Sequence, residues 1–378
     1  MAVRRALSVV AVVVGLVLSG GVAAAAEPDP PPATSLSFAL SATRLTHGTA
    51  LIVTARLTSA ETGTPIPDAP VVVERRRPGT TAYAPLATLV SDSDGVVRFV
   101  TRPRVNAEYA VRHDGDVLLG ASAAGPKRVD VAPRLRAVLN KTAARVGSKV
   151  TISGSVTPAH PGRTVRIERY YNGSWHLVTK RTLSAASSYT ARLTMPATAG
   201  WKKYRVVKAA DRNNLATSSA VHRVDAYRLH TYVVRTRGNV SASVQDFSES
   251  VAATYADRRG WMRGHDRFRR VASGGSFTVV LAQARYLPSY SSVCSAQYSC
   301  RVGRNVIINQ DRWRLGSRYF PGTRTEYRQM VVNHETGHWL GNGHAYCRGK
   351  GQLAPVMQQQ SKGMQGCKIN SWPLSREL

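Results

Sequence analysis

The sequence predicts a multidomain chain in which two all-β sandwiches precede an α+β domain. Three observations predict it. From about Leu36 to about Asp225, apolar and polar residues alternate over short runs, the period of a strand with one buried face. Leu51, Val53, Ala55 and Leu57 recur as Val150, Ile152, Gly154 and Val156, so the all-β part is a repeat of two units. Beyond Asp225 the spacing changes to three and four residues, as in Val244, Phe247, Val251 and Tyr255, which marks a helix with one apolar face.

Residues 1–26 read as an export signal: Arg4 and Arg5 form a charged start, an apolar run extends to Leu18, and the alanines before Glu27 offer a cleavage site. The apolar run is too short for a comfortable membrane span, so the mature chain is expected to have none. The expected location is therefore outside the cell. Residues 27–35 (EPDPPPATS) suit an extended, proline-rich linker.

Residues 36–132 form the first expected sandwich. Leu51, Val53, Ala55 and Leu57 would face one side of a strand, with Thr54, Arg56 and Thr58 opposite. Residues 71–75 and 95–100 are further strands, and residues 92–95 (DSDG) carry turn chemistry. Residues 133–224 repeat this plan: Val165 to Arg169 echo Val72 to Arg75, and Tyr204 to Val207 echo Tyr109 to Arg112. Two units of about 90 residues with many short strands read as β-sandwiches. Neither contains a cysteine, so packing alone must hold each core. Trp175 and Trp201 are expected in a core or at a strand edge, with a carbohydrate platform as the alternative.

Residues 225–378 form the third unit. Residues 229–235 read as a strand, the 244–255 helix is expected to stop by Gly260, and residues 277–282 and 305–308 are further strands. Thr323 with Glu326 forms a capping box for a helix that runs through Met330, Val331 and His334 to Gly341.

Composition narrows the setting. All four cysteines, Cys294, Cys300, Cys347 and Cys367, lie in the last quarter, and an even count in an exported chain favours two disulfides. Three pairings are possible, and short loops favour Cys294 with Cys300 and Cys347 with Cys367. Full pairing would leave no thiolate to cap a metal. The formal charge is +30, or +28 without Arg4 and Arg5. Such a field is either a solvated surface or a means of retention by anionic cell-wall polymers. The basic residues are spread along the whole chain without an aromatic-and-basic motif, which argues against specific nucleic-acid binding.

The chemistry is concentrated in residues 334–344, HETGHWLGNGH, which read H-E-x-x-H-x-x-G-x-x-H. On a helix, residues four apart lie one turn above each other, so His334 and His338 can direct imidazoles at one point. Gly341 permits the left-handed backbone that ends a helix, and Asn342-Gly343 turns the chain so that His344 supplies a third nitrogen. Three imidazoles with an open fourth position describe a catalytic zinc site, because a structural site would use four protein ligands. With histidine at 10 of 378 positions, H-E-x-x-H arises by chance in on the order of one chain in a hundred; the Gly and third His lower that to about one in 10^5. Zinc would lower the pKa of a bound water, and Glu335 would take the water's proton and pass it to the leaving amine. The expected activity is that of a secreted zinc endopeptidase acting on a protein or peptide substrate.

The motif resembles that of the metzincin clan of zinc peptidases. In that clan a methionine turn lies beneath the metal, and residues 354–357 (APVM) match it with Met357 in the named position. The resemblance implies that Met357 is an apolar floor and not a ligand. Some metzincins carry a tyrosine soon after this turn that helps the oxyanion. None follows Met357 here, so Tyr346 and Arg348, near the third ligand, are only the nearest guesses. Asn333 is read equally as support for the first ligand and as an ordinary helix residue. Residues 225–378 also resemble a family of domains of unknown function in exported actinobacterial proteins. That resemblance rests on Asn333-His334-Glu335, residues 354–360 (APVMQQQ), Gly366-Cys367 and Trp372-Pro373. The two sandwiches resemble bacterial immunoglobulin-like modules. The implied fold is thus two immunoglobulin-like sandwiches followed by an α+β metzincin-like zinc peptidase domain.

Two alternatives keep the same residues. One is a non-catalytic cell-wall or adhesion protein with a structural zinc site, a reading that leaves Glu335 without a use. The other is a zinc hydrolase of the peptide or amide bonds of peptidoglycan, which spacing alone does not separate from a protease of proteins.

Overall fold

The computed structural model describes residues 29–378, and the expected export signal lies outside the described residues. The chain is a β-rich multidomain protein. It forms two compact units. One is built from residues up to Thr43, Ala50–Arg102 and Ala107–Val129; the other runs from Asp130 to Leu378 and includes Arg44–Thr49 and Pro103–Asn106. Among the described residues no helix is long and apolar enough to cross a membrane.

In the first unit the strands Thr34–Leu40, Leu51–Ser59 and Val96–Thr101 make one antiparallel sheet. The first of them takes up the last two residues of the expected linker. Pro70–Arg76, Ala84–Val90, Ala107–His113 and Ser122–Ala132 belong to a second sheet. Leu51, Val53, Ala55 and Leu57 are all buried, as the alternation predicts, and so are Val71, Val73, Tyr109 and Val111 on the other sheet. Each such side chain contributes about 1.5–3 kcal/mol, which is how a unit without a disulfide holds together.

The second unit begins with the same plan. Arg134–Leu139, Lys149–Thr157 and Ser188–Thr194 form a three-stranded sheet. Its residues Val150, Ile152 and Val156 share a core with Val165, Ile167, Tyr204 and Val206 from the facing strands Thr164–Tyr171 and Gly200–Lys208. Trp201 does not join that core: it is 60% exposed. Trp175, on the strand Ser174–Thr182, lies under the Arg205 guanidinium at 4.4 Å from the ring centre.

The boundary expected between residues 224 and 225 falls inside one continuous strand, His222–Arg237. Its first part pairs antiparallel with Gly200–Lys208, from Tyr204 opposite His222 to Gly200 opposite Ala226. Its last part pairs parallel with Phe277–Ala282, from Tyr232 opposite Phe277 to Arg237 opposite Ala282. Val224 is buried in the sandwich core, while Tyr232 and Val234 are buried in the next. Only the second half of the strand stands out in the sequence, because the first continues the sandwich alternation without a turn signal.

From this strand the sheet continues through Phe277–Ala282 and the parallel Asn305–Asn309 to the antiparallel edge strand Cys300–Val302. Three helices pack on it: α1 (Val244–Ala256), α2 (Gln310–Leu315) and α3 (Arg324–Trp339). In α1, Phe247, Val251 and Tyr255 are buried as expected, but Val244, in the first turn, is 40% exposed. The short α2 was not foreseen. The capping box at the start of α3 is present: Glu326 N–H donates to Thr323 Oγ1, and Thr323 N–H donates to Glu326 Oε2. Tyr327, Met330 and Val331 anchor α3 against Val306, Ile308 and Phe247. The opposite end of the same helix is left to present its histidines.

Candidate metal centre

The structure brings His334, His338 and His344 together, with their ligating nitrogens all within 4.8 Å of one another. His334 and His338 occupy the last turns of α3, and the helix then stops. Gly341, at φ +103°, takes a backbone conformation that suits glycine, and Asn342 N–H donates to Gly337 O at 2.9 Å. That turn carries His344 back over the end of the helix.

Two imidazoles are fixed by their outer nitrogens. His334 Nδ1 lies 2.8 Å from Val356 O, and His338 Nδ1 lies 2.8 Å from Asn342 O. A carbonyl accepts only, so both Nδ1 atoms carry the proton and both neutral rings turn a bare lone pair at Nε2 inward. The His334 and His338 Nε2 atoms are 3.2 Å apart, and those of His338 and His344 are 3.1 Å apart. Two lone pairs facing each other at that distance repel unless a cation lies between them. A tetrahedral zinc with bonds of about 2.0–2.1 Å would place its nitrogens about 3.3 Å apart, so the donor set fits the ion. Burial also favours the neutral ring: it lowers the His334 pKa to about 3, with further lowering from His338, against an opposing contribution from the Val356 carbonyl. Burial likewise lowers the pKa of His338 and His344.

Glu335 is 5% exposed. It lines a cleft of about 310 Å³ together with the three histidines, Arg301 and Lys362. A side pocket of about 40 Å³ adjoins it, lined by Glu335, Tyr298, Met330, Val331 and Gln360 among others. Burial pushes the Glu335 carboxyl up to about 8, against an opposing pull from Arg301. A dication nearby would favour the carboxylate.

Met357 is 1% exposed and packed with Trp261 and Val356. A Cβ at Gly337 would come 2.3 Å from Met357 Sδ and 2.7 Å from Trp261 Cζ2, so the glycine between the two helical ligands is what lets this floor approach. Trp261 Nε1 donates to Asn333 O at 3.2 Å. Glu377 clamps the floor from below: its carboxylate accepts from the N–H of Val356 at 3.1 Å and of Met357 at 2.8 Å. Asn333 is fully buried and donates through Nδ2 to Ser371 O at 2.8 Å. It therefore ties α3 to the last segment.

The disulfides are Cys294–Cys300 and Cys347–Cys367, with Cα atoms 5.8 and 5.7 Å apart. No free cysteine remains among the described residues. The second disulfide closes the loop that contains Met357; the first closes the loop that carries Tyr298 to the cleft. Tyr346 is 72% exposed, and neither it nor Arg348 lines the cleft. The tyrosine that does is Tyr298, which no spacing from the histidine motif could reveal. Gly337 was within the motif and could have been read as a contact site. Trp261 and Glu377 left no local signal.

Residues 196–374 match the family described as a protein of unknown function (DUF3152). The match contains the histidine cluster, and it starts before the expected boundary, taking in the strand Gly200–Lys208 that pairs with His222–Arg237. No curated protein matches the chain. Solved structures similar to it include the Yersinia pseudotuberculosis adhesin InvE, at 11% identity and TM-score 0.26, covering 51% of this chain and 58% of that one. A tetra-tandem repeat from the extending region of a large adhesion protein has 15% identity and TM-score 0.29, covering 52% of this chain and 50% of that one. The chicken interferon gamma receptor alpha chain has 9% identity and TM-score 0.31, with 52% and 98% covered. The chain thus spans 58% and 50% of the first two, and likenesses this weak say nothing of function.

Proposed function

We infer that the chain is an exported zinc endopeptidase of metzincin-like design, with His334, His338 and His344 as ligands and Glu335 as general base. The observation that carries this reading is the pair of inward-facing, unprotonated Nε2 atoms of His334 and His338 beside a buried glutamate that is not one of the three clustered donors. Zinc, when bound, supplies Lewis-acid polarisation of the attacking water and of the substrate carbonyl.

The chain's own residues do the rest. Glu335 accepts a proton at its carboxylate as water adds to the carbonyl carbon. It returns that proton to the amine nitrogen as the C–N bond breaks, which regenerates the base. Tyr298 is the cleft's candidate donor to the oxyanion, in place of Tyr346 or Arg348. The edge strand Cys300–Val302 borders the cleft and has an unpaired side, on which an extended polypeptide can lay its backbone hydrogen bonds. Met357 and Trp261 give the ligands an apolar floor. The two disulfides suit an oxidising compartment, in keeping with export, and the sandwiches are proposed as immunoglobulin-like spacers or binders of anionic wall polymers.

The test is paired. Bound zinc and cleavage of an unfolded protein are measured for the wild type, Glu335→Ala and His344→Ala. Glu335→Ala is expected to keep zinc and lose cleavage, and His344→Ala to lose both. Zinc-loaded wild type that cleaves neither protein nor peptidoglycan would overturn the reading.

A further inference from the structure

The cleft around the histidines carries two cations on its walls, Arg301 and Lys362. Arg301, on the edge strand, donates from Nη2 to His338 O at 2.8 Å, so its guanidinium is held at the end of α3 with its other N–H groups left over. Lys362, which follows the Met357 turn, has its Nζ 5.4 Å from the centre of the Tyr298 ring. Arg301 and Lys362 both line the cleft that holds Glu335, His334, His338 and His344. Glu335 is the one carboxylate among the residues lining the cleft, and it is taken up by proton transfer. The adjoining side pocket is lined by Met330 and Val331 on its apolar side and by Glu335, Gln358 and Lys362 on its polar side, so Lys362 borders both spaces. Two cations against one carboxylate are thus the net charge that this cleft offers a substrate.

We propose that Arg301 and Lys362 select peptides carrying a carboxylate beside the scissile bond. This rests on the peptidase reading above and adds the substrate class to it. A carboxylate can accept from Arg301 in a fork and from Lys362 as a point charge. Each partly exposed pair contributes up to about fivefold, so an acidic substrate should gain about tenfold over its neutral isostere.

The experiment uses the full chain loaded with zinc and a set of fluorogenic peptides identical except for Glu, Gln or Lys on either side of the cleaved bond. The expected order of kcat/KM is Glu above Gln by about tenfold, with Lys lowest, and the gap should shrink as salt rises. Lys362→Glu should abolish or invert the order. Arg301→Lys should keep it, because the charge is retained. Free and C-terminally amidated peptides separate the two sources of carboxylate, a side chain or a chain end. Binding of the same labelled peptides to Glu335→Ala, read by fluorescence anisotropy, gives the order without turnover. If wild type cleaves no peptide while Glu335→Ala still prefers the acidic one, the peptidase reading fails and the selectivity stands. Equal binding and cleavage of the Glu and Gln peptides, or an order unmoved by Lys362→Glu, overturns the proposal.

Discussion

The sulfur of Met357 occupies the space that a side chain at position 337 would need: a Cβ there would lie 2.3 Å from it. Gly337 sits on α3 between His334 and His338, so there is no room for a side chain at that point of the helix. Gly337→Ala is therefore expected to destabilise the fold by about 1–3 kcal/mol through overpacking, despite alanine's better helix propensity. Adding Met357→Ala should recover part of that loss, because the two side chains compete for one space. Thermal unfolding of the two single variants and the double variant measures the coupling, and additive losses would refute it.

The Cys347–Cys367 disulfide encloses the residues that make the floor, with a sequence separation of 20 against 6 for Cys294–Cys300. By chain entropy the two bonds stabilise by similar amounts, about 3 and about 2 kcal/mol. Their effects on metal binding should differ. Replacing Cys347 and Cys367 with serine frees Val356, whose carbonyl orients His334, and should weaken zinc binding. Replacing Cys294 and Cys300 should leave zinc affinity near wild type and reduce activity through the Tyr298 loop. Competition titration against a zinc chelator, alongside urea unfolding, reads both quantities.

How far the sequence revealed this site follows from the range of each interaction. The clustering of His334, His338 and His344 beside Glu335 was legible because helical periodicity and a turn place them with contacts inside eleven residues. The capping box at Thr323 and Glu326 was legible for the same reason. Trp261 and Asn333 meet across 72 positions, and Glu377 and Met357 across 20 with no repeating pattern between them. Such contacts are fixed by how α3, the short turn at Trp261 and the last segment pack together, and no local spacing encodes that. The His222–Arg237 strand failed differently. Its alternation is continuous, so the change of partner at Ala226 leaves no mark in the chain itself.

Asp266 gives a pH prediction. It is 3% exposed, and it accepts from Arg228 Nε and Nη2 at 2.6 Å each and from His230 Nε2 at 2.7 Å. Burial alone would raise its pKa, but the bonds from Arg228 and His230 outweigh burial and hold it below the ordinary 3.8. The folded state thus binds this proton more weakly than the unfolded state. The resulting stability is fully present above about pH 4 and is lost as pH falls through the lowered folded value. Asp266→Asn should cost about 2 kcal/mol at neutral pH, discounted because the Arg228 side chain is 50% exposed. At pH 3 the gap between variant and wild type should narrow. Urea unfolding at the two pH values checks it, and a gap that widens toward acid would contradict the assignment.

Glu377 reaches His334 at second hand. Its Oε2 accepts from Val356 N–H at 3.1 Å and Leu374 N–H at 2.7 Å, and its Oε1 accepts from Met357 N–H at 2.8 Å. The carbonyl of the same Val356 accepts from His334 Nδ1, so the carboxylate holds the peptide that holds the imidazole. Glu377→Gln preserves shape but turns one end of the group into a donor facing an N–H. At least one of the three bonds is lost, at about 1.5–3 kcal/mol for a charged acceptor. Because the disturbed peptide orients His334, zinc affinity should fall about 10–100-fold, the usual effect of removing an outer partner of a ligand. Glu335→Gln, in contrast, should leave zinc affinity almost unchanged and remove turnover, since the proposed role of Glu335 is that of a base and not a support. Zinc dissociation constants for the two variants separate these roles. If Glu377→Gln binds zinc as tightly as wild type while unfolding at lower temperature, Glu377 serves folding alone.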